Sequence, residues 1–370
     1  LLEVLFSMFV LAVGLLGLAA MVPVGKHQVT EASHADRSTA IGQAAHKEIK
    51  VRDALDPATW RFFNYTGNAF QAYPASGVVT LPFVVDPLAI TSNINSGSSD
   101  PQFAFFPHGN GNPNFRTAAP MLAKLDRISL TSVSSSTAAS NWALADRIFR
   151  SFDDRTFELP SDVTLRPQHM VDSSGVPLPT PSQSEGNYSW LFMVSPPQFA
   201  GGPSTVSVVV FYKRDLVVAT SGTEPASERF VYLDLVNGGL GGSFGGDAQL
   251  RTLSAAPSDS GTMATATSSE FAEKVLKVRP NQWILVSGQL TSGSVPVHKW
   301  YRVVSTSEMQ STASPWVVDV TLAGPDWNGG VFNDMESGGF TTMFATICDG
   351  VVGVFEKTIQ LDEPSLWTAH

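Results

Sequence analysis

The chain has 370 residues, 43% of them hydrophobic and only 15% charged, with a formal net charge of −10. That apolar content fills one large core or two ordinary ones and excludes a disordered chain. Residues 1–53 balance Lys26, Arg37, Lys47, Lys50 and Arg52 against Glu3, Glu31, Asp36, Glu48 and Asp53, so the acid excess belongs to the rest; such a body repels phosphate backbones and disfavours general nucleic-acid binding.

The first element is "LLEVLFSMFVLAVGLLGLAAMVPVG", uncharged after Glu3 until Lys26. Residues 1–25 have the length of a membrane-spanning helix. A cleaved signal peptide begins with basic residues and ends in a small-residue cleavage site. Here the first charge is acidic and the helical pattern continues past the apolar run. A plain anchor leaves Glu3 without a partner, at a cost of a few kcal/mol in the membrane.

The stretch "LLEVL…AVGLLGLA" resembles the N-terminus of type IV pilins and pseudopilins, with the minor pilins as the nearest group. The resemblance is confined to this segment. It implies that Glu3 pairs with the free α-amine of a neighbouring subunit, each charge neutralising the other in an apolar filament core. It also implies a leader cut before an N-methylated residue, usually Phe, with the mature chain starting two residues ahead of Leu1. The implied protein is a structural subunit, not an enzyme, and has no cofactor. Its partners are other copies of itself, a pilus assembly machinery and a prepilin peptidase. It would sit in the inner membrane before assembly and then in an extracellular filament on the bacterial surface. Gly14, Gly17 and Pro23 are weak points of the helix: proline cannot donate to the Ala19 carbonyl, a defect of about 3 kcal/mol, and each glycine adds ~1 kcal/mol. Pilins commonly unwind between a glycine and a proline so placed. The assembled form is therefore expected to contain a non-helical stretch inside residues 14–23, between Gly17 and Pro23.

Beyond Pro23 the helix turns polar. Ile41, Ala45 and Ile49 form one apolar stripe with Ala44 beside it, and Asp56-Pro57 marks a stop, giving a helix over residues 1–55. His27, His34 and His46 dot the polar faces, without metal-ligand spacing, and are expected in solvent or at subunit contacts.

Residues 56–370 read as one β-rich head, with a possible division into two lobes near 174–200, around the Pro/Ser-rich stretch 174–187. Strands are predicted at 77–85, 204–213, 215–220, 228–236, 282–290, 298–307, 315–323 and 350–361, with a tight hairpin at Lys213-Arg214-Asp215 and another through 291–297. Helices are predicted at 118–128, 139–152 and 268–276. The fold class is α+β, mainly antiparallel. Cys348, in "TTMFATICDG", reads as a buried core-strand residue that cannot form an intrachain disulfide.

Chemical motifs are weak. "GGSFG" around Ser243 has the hydrolase G-x-S-x-G spacing but no helix behind it, and reads as a loop. Asp326, Asn328, Asp334 and Glu336 gather oxygen ligands in a glycine-rich stretch that departs from the EF-hand, a weak calcium candidate; the chain is otherwise read as metal-free. "PHGNGNPNF" with His108 lacks the lysine of a phosphate loop and reads as a turn. Trp60, Phe62, Phe63 and Tyr65 are expected to seal the helix–head junction, with sugar binding as the rival. The acceptor patterns at 64–66 and 187–189 read as surface turns. The sequence favours a filament subunit; the rival is a single-pass membrane-anchored adhesin or enzyme that acts without polymerising.

Overall fold

The computed structural model describes residues 2–64, 69–73, 81–95, 101–107, 124–131, 138–150, 155–157, 182–184, 187–196, 203–216, 227–235, 247–251, 269–288, 297–310, 316–324 and 343–359. It is an α+β molecule with a long N-terminal helix and a large, mostly antiparallel β region.

Helix α1 runs from Leu2 to Val51, about 75 Å at 1.5 Å per residue, with Pro23 inside it. It stops at Asp53, which takes the left-handed conformation at φ 54°. The Ala54 N–H reaches the Ile49 carbonyl at 3.0 Å and the Asp53 N–H reaches Lys50 at 3.3 Å, the paired bonds of a Schellman termination. The helix thus ends a few residues before Asp56-Pro57, where a 3-10 turn begins with Asp56 as its cap.

The first sheet holds β1 (Arg61–Asn64), β2 (Ala69–Ala72), β3 (Phe83–Val85), β4 (Phe105–Phe106) and β5 (Leu125–Ser129). The short pair β6 (Arg155–Phe157) and β7 (Ser182–Ser184) stands apart. The chain rejoins the sheet through β8 (Tyr188–Ser195) and β9 (Ser204–Tyr212). It then forms a closed six-stranded barrel from β10 (Glu228–Leu235), β11 (Asp247–Arg251), β12 (Trp283–Gly288), β13 (Val297–Thr306), β14 (Val317–Ala323) and β15 (Met343–Cys348). Strand β16 (Val351–Ile359) returns to the sheet as the antiparallel neighbour of β9. The stretch 174–200, expected to divide the head, contains β8, paired to β3 and β9 within the sheet. The passage from sheet to barrel comes later, between Tyr212 and Glu228.

The central strands of the sheet, β3, β8 and β9, are buried on both faces. On one, Ile41, Ala45 and Ile49 of α1 pack with Trp190, Phe192, Val208 and Val210, together with helices α2 (Pro87–Asn95) and α3 (Ala138–Phe149). The predicted stripe is this contact, except that Ala44 is exposed. On the other face, Leu191, Met193, Val209 and Phe211 meet Leu285, Trp300 and Cys348 from the outside of the barrel. The barrel interior is filled by Val231, Leu250, Ile284, Tyr301, Val320 and Ala345, with helix α4 (Ser269–Leu276) adding Ala272, Val275 and Leu276.

Two elements differ from expectation. Residues 125–128, predicted as the end of a helix, are strand β5. "LDRIS" is buried at every position but Asp126, and its pairing with β1, β3 and β4 outweighs a weak helical pattern. Of the strand predicted at 215–220 after Lys213-Arg214-Asp215, residues 215–216 are not strand and the remainder lies outside the described residues; the Lys213 N–H bonds the Asn187 carbonyl at 2.6 Å.

Candidate assembly site and the buried polar groups

The first half of α1 lies outside the folded body. Leu5, Phe6, Phe9 and Leu11 are each 61–67% exposed, and Leu16 is 74% exposed. The helix is long and apolar enough to cross a membrane, by length and composition. Glu3 is exposed in the first turn, where an acid complements the helix dipole, and its carbonyl accepts the Ser7 hydroxyl at 2.8 Å. Gly14 faces open space: a Cβ there would meet nothing within 4 Å. Gly17 and Pro23 lie in unbroken helix in this single chain.

The second half of α1 is clamped to the sheet. His34 Nδ1 and the Tyr188 hydroxyl lie 2.5 Å apart, and the His34 ring packs on Tyr212 with centroids 4.3 Å apart. His46 Nε2 lies 3.2 Å from the Phe355 carbonyl, and burial pushes its pKa down. These two histidines, expected in solvent or between subunits, therefore hold the helix to its own head. A Cβ at Gly42 would overlap the Phe355 ring, so glycine permits the close approach to β16. Trp60 is fully buried, donates Nε1 to the Ala54 carbonyl at 2.9 Å and packs at a tilt against Phe83. It seals the helix–head junction, with no face open to a sugar.

Sequence reasoning missed a buried ionic cluster where sheet and barrel meet. Arg127 of β5 donates to Asp86 at 2.6 Å and to Glu228 at 2.5 Å; Arg214 donates to the same two carboxylates at 2.5 and 2.8 Å. All four side chains are at most 2% exposed. Burial alone would raise the Asp86 carboxyl, but the Arg214 and Arg127 guanidiniums outweigh it and hold its pKa below the usual range, with Glu228 opposing them. Partners 101 and 128 residues apart in sequence leave no local signal.

Ser287 and His298 form a second buried pair, Oγ to Nδ1 at 2.7 Å, on the barrel face that carries Leu285 and Trp300. Burial pushes His298 down to about 3, and its buried Nε2 has no hydrogen-bond partner among the described residues. A base that weak accepts little proton from a hydroxyl near neutral pH, so the pair reads as packing chemistry rather than a nucleophile and its base.

Cys348 is buried and its thiol is pushed up by burial, consistent with a core strand. Ser243, His108, Tyr65 and the calcium candidates Asp326, Asn328, Asp334 and Glu336 lie outside the described residues. Among the described residues, no cluster of three or more His, Cys, Asp or Glu is arranged to hold a metal.

Between α1 and the barrel lies a groove of about 1060 Å³, walled by Gln28 and Glu31 on one side and by Lys277, Arg279 and Arg302 on the other. The architecture defines an α+β protein with a projecting apolar helix. Compared with protein-family models and with curated proteins, the chain has no match.

Proposed function

We propose that this chain is a structural subunit of a type IV pilus-like filament. It polymerises through the N-terminal helix and carries the β-rich head outside. The supporting observation is the division of α1: large apolar side chains between Leu2 and Leu16, and again Met21 and Val22, are exposed, while Ile41, Ala45 and Ile49 are buried in the head. Apolar surface of that length needs lipid before assembly and other helices after it. Glu3, at the start of this run, then has a role that a plain anchor does not give it. In a helix bundle the Glu3 of an incoming subunit meets the free α-amine of its neighbour and sets the register of the new subunit. Before assembly the chain sits in the inner membrane, is processed by a prepilin peptidase and is extracted by an assembly machinery. The head supplies the outer surface and no catalysis.

The test is substitution at Glu3. Glu3→Ala is expected to insert in the membrane normally and to lose filament yield in sheared fractions. Glu3→Gln retains hydrogen bonding and is expected to keep part of that yield. Wild-type yield from Glu3→Ala would refute the proposal.

A further inference from the structure

We infer that the cationic groove between α1 and the barrel receives an acidic surface of a second copy of this chain. The groove exists independently of the filament reading; that the occupant is another copy rests on it.

The wall is built for charge. Arg229 is buried and fixed: it donates to the Val275 carbonyl in the last turn of α4 at 2.7 Å, to the Lys277 carbonyl just beyond that helix at 3.0 Å, and to Asp349 at 2.9 Å. It complements the C-terminal dipole of that helix and rigidifies the segment that follows. That segment carries Lys277 and Arg279, both exposed along the groove. Exposed Arg302 completes the wall, oriented by its bond to Asn281 Oδ1 at 2.9 Å. The acids in the groove are Glu31 and Asp349, and Asp349 is engaged by Arg229.

The occupant follows from charge complementarity. A chain of net charge −10 repels its own copies unless a cationic surface meets an acidic one. Among the described residues, exposed acid is available away from this wall at Glu270, Glu273 and Glu308. Because donor and acceptor surfaces differ, the contact is head-to-tail and propagates instead of closing, as a filament requires. The groove also lies beside residues 28–35 of α1, where the stem leaves the head and where copies sharing a stem bundle bring their heads together. The overall acidity argues against a nucleic-acid strand as the occupant.

The test uses the full chain in detergent micelles, with Gln28→Cys labelled by a maleimide-linked diazirine. The native Cys348 is buried with a raised pKa, so the label falls on the exposed new thiol. Illumination is expected to give chain–chain products whose attached peptides are acid-rich. These should fall at least tenfold in K277E/R279E, partly in K277Q/R279Q, and again in about 1 M salt, where the screening length is ~3 Å. Both charge variants change exposed side chains, and unaltered circular dichroism would confirm that they fold. Products that persist in K277E/R279E, or capture of a nucleic acid or a different protein instead, would overturn the inference. The two readings fail separately. Filaments without products through position 28 sink the groove and leave the filament standing. Products from a protein that never polymerises sink the filament and leave the groove.

Discussion

Asp86 shows how much one side chain can hold. Its backbone N–H bonds the Ile128 carbonyl at 3.0 Å, its Oδ1 caps α2 at the Ala89 N–H, and its carboxylate takes both Arg127 and Arg214. Asp86→Asn keeps a capping oxygen but leaves two buried guanidiniums on Glu228 alone. It is expected to destabilise the head by about 3–5 kcal/mol, measured by denaturant unfolding. A loss under ~1 kcal/mol would mean that the arginines find other partners. The pH dependence follows from the sign of the shift. The folded pKa of Asp86 is depressed, so its stabilisation is complete above the ordinary carboxylate pKa, about 3.9, and is lost as pH falls through the lower folded value. His298 acts at higher pH. Folding holds it neutral with a pKa of about 3, whereas the unfolded chain takes up a proton near 6.5, so stability declines from about pH 6.5 downward. Glu356, whose pKa burial raises, opposes that trend, because protonation favours its folded form. In His298→Asn, which retains an acceptor for Ser287, the decline between pH 6.5 and 4 should be visibly smaller in thermal melts. An unchanged slope would exclude His298 as its source.

At the scale of elements, α1 is two helices in one. Its second half is fixed by the Schellman turn, the histidine contacts and the Gly42–Phe355 approach. Gly42→Ala adds a methyl where the ring already sits, and is expected to destabilise the docked helix by about 1–3 kcal/mol. A change below ~0.5 kcal/mol would show that Phe355 moves aside. The first half has no such contacts, and in the single chain it stays helical through Gly14, Gly17 and Pro23. In the bilayer, freed backbone groups would find no water, which favours that continuous form. In a filament, neighbouring chains can accept them, and the stretch between Gly17 and Pro23 is expected to extend. Passing from ~1.5 to ~3.3 Å per residue over a few residues lengthens the stem by roughly 10 Å. A filament reconstruction would decide this; unbroken helical bonding from residue 10 to residue 22 would refute it.

At the scale of the molecule, the head is a sheet and a barrel joined back to back. The chain leaves the sheet after β9, builds the whole barrel and comes back as β16 beside the strand it left. The ionic cluster sits across this junction, with Asp86 and Arg127 from the sheet side and Glu228 opening the barrel. Asp86→Asn is therefore expected to separate sheet and barrel before either unfolds. Hydrogen exchange would show it as early loss of protection in Val84, Leu191 and Leu285, which line the interface, ahead of the barrel interior. Simultaneous loss everywhere would show that the two are one cooperative unit.

What the sequence determined by itself is what local pattern carries. The apolar run with Glu3 and the 41–45–49 stripe made α1 and its docking face legible. The β-branched and aromatic runs "STVSVVVFYK" and "HKWYRVVSTS" placed β9 and β13, and "TTMFATICDG" placed β15 with a buried Cys348. Only the tertiary structure decided the rest. Strand β5 is a strand because three partners claim it, and a pattern of five residues cannot state that. The closure of β10–β15 into a barrel depends on pairings across tens of residues. The cluster of Asp86, Arg127, Arg214 and Glu228 is invisible to any window, since each charge alone reads as a surface residue and becomes stable in the interior only once the others arrive. The cationic groove was hidden for the same reason: Arg302 lies more than twenty residues from Lys277 and Arg279, and the fold alone sets all three facing the stem.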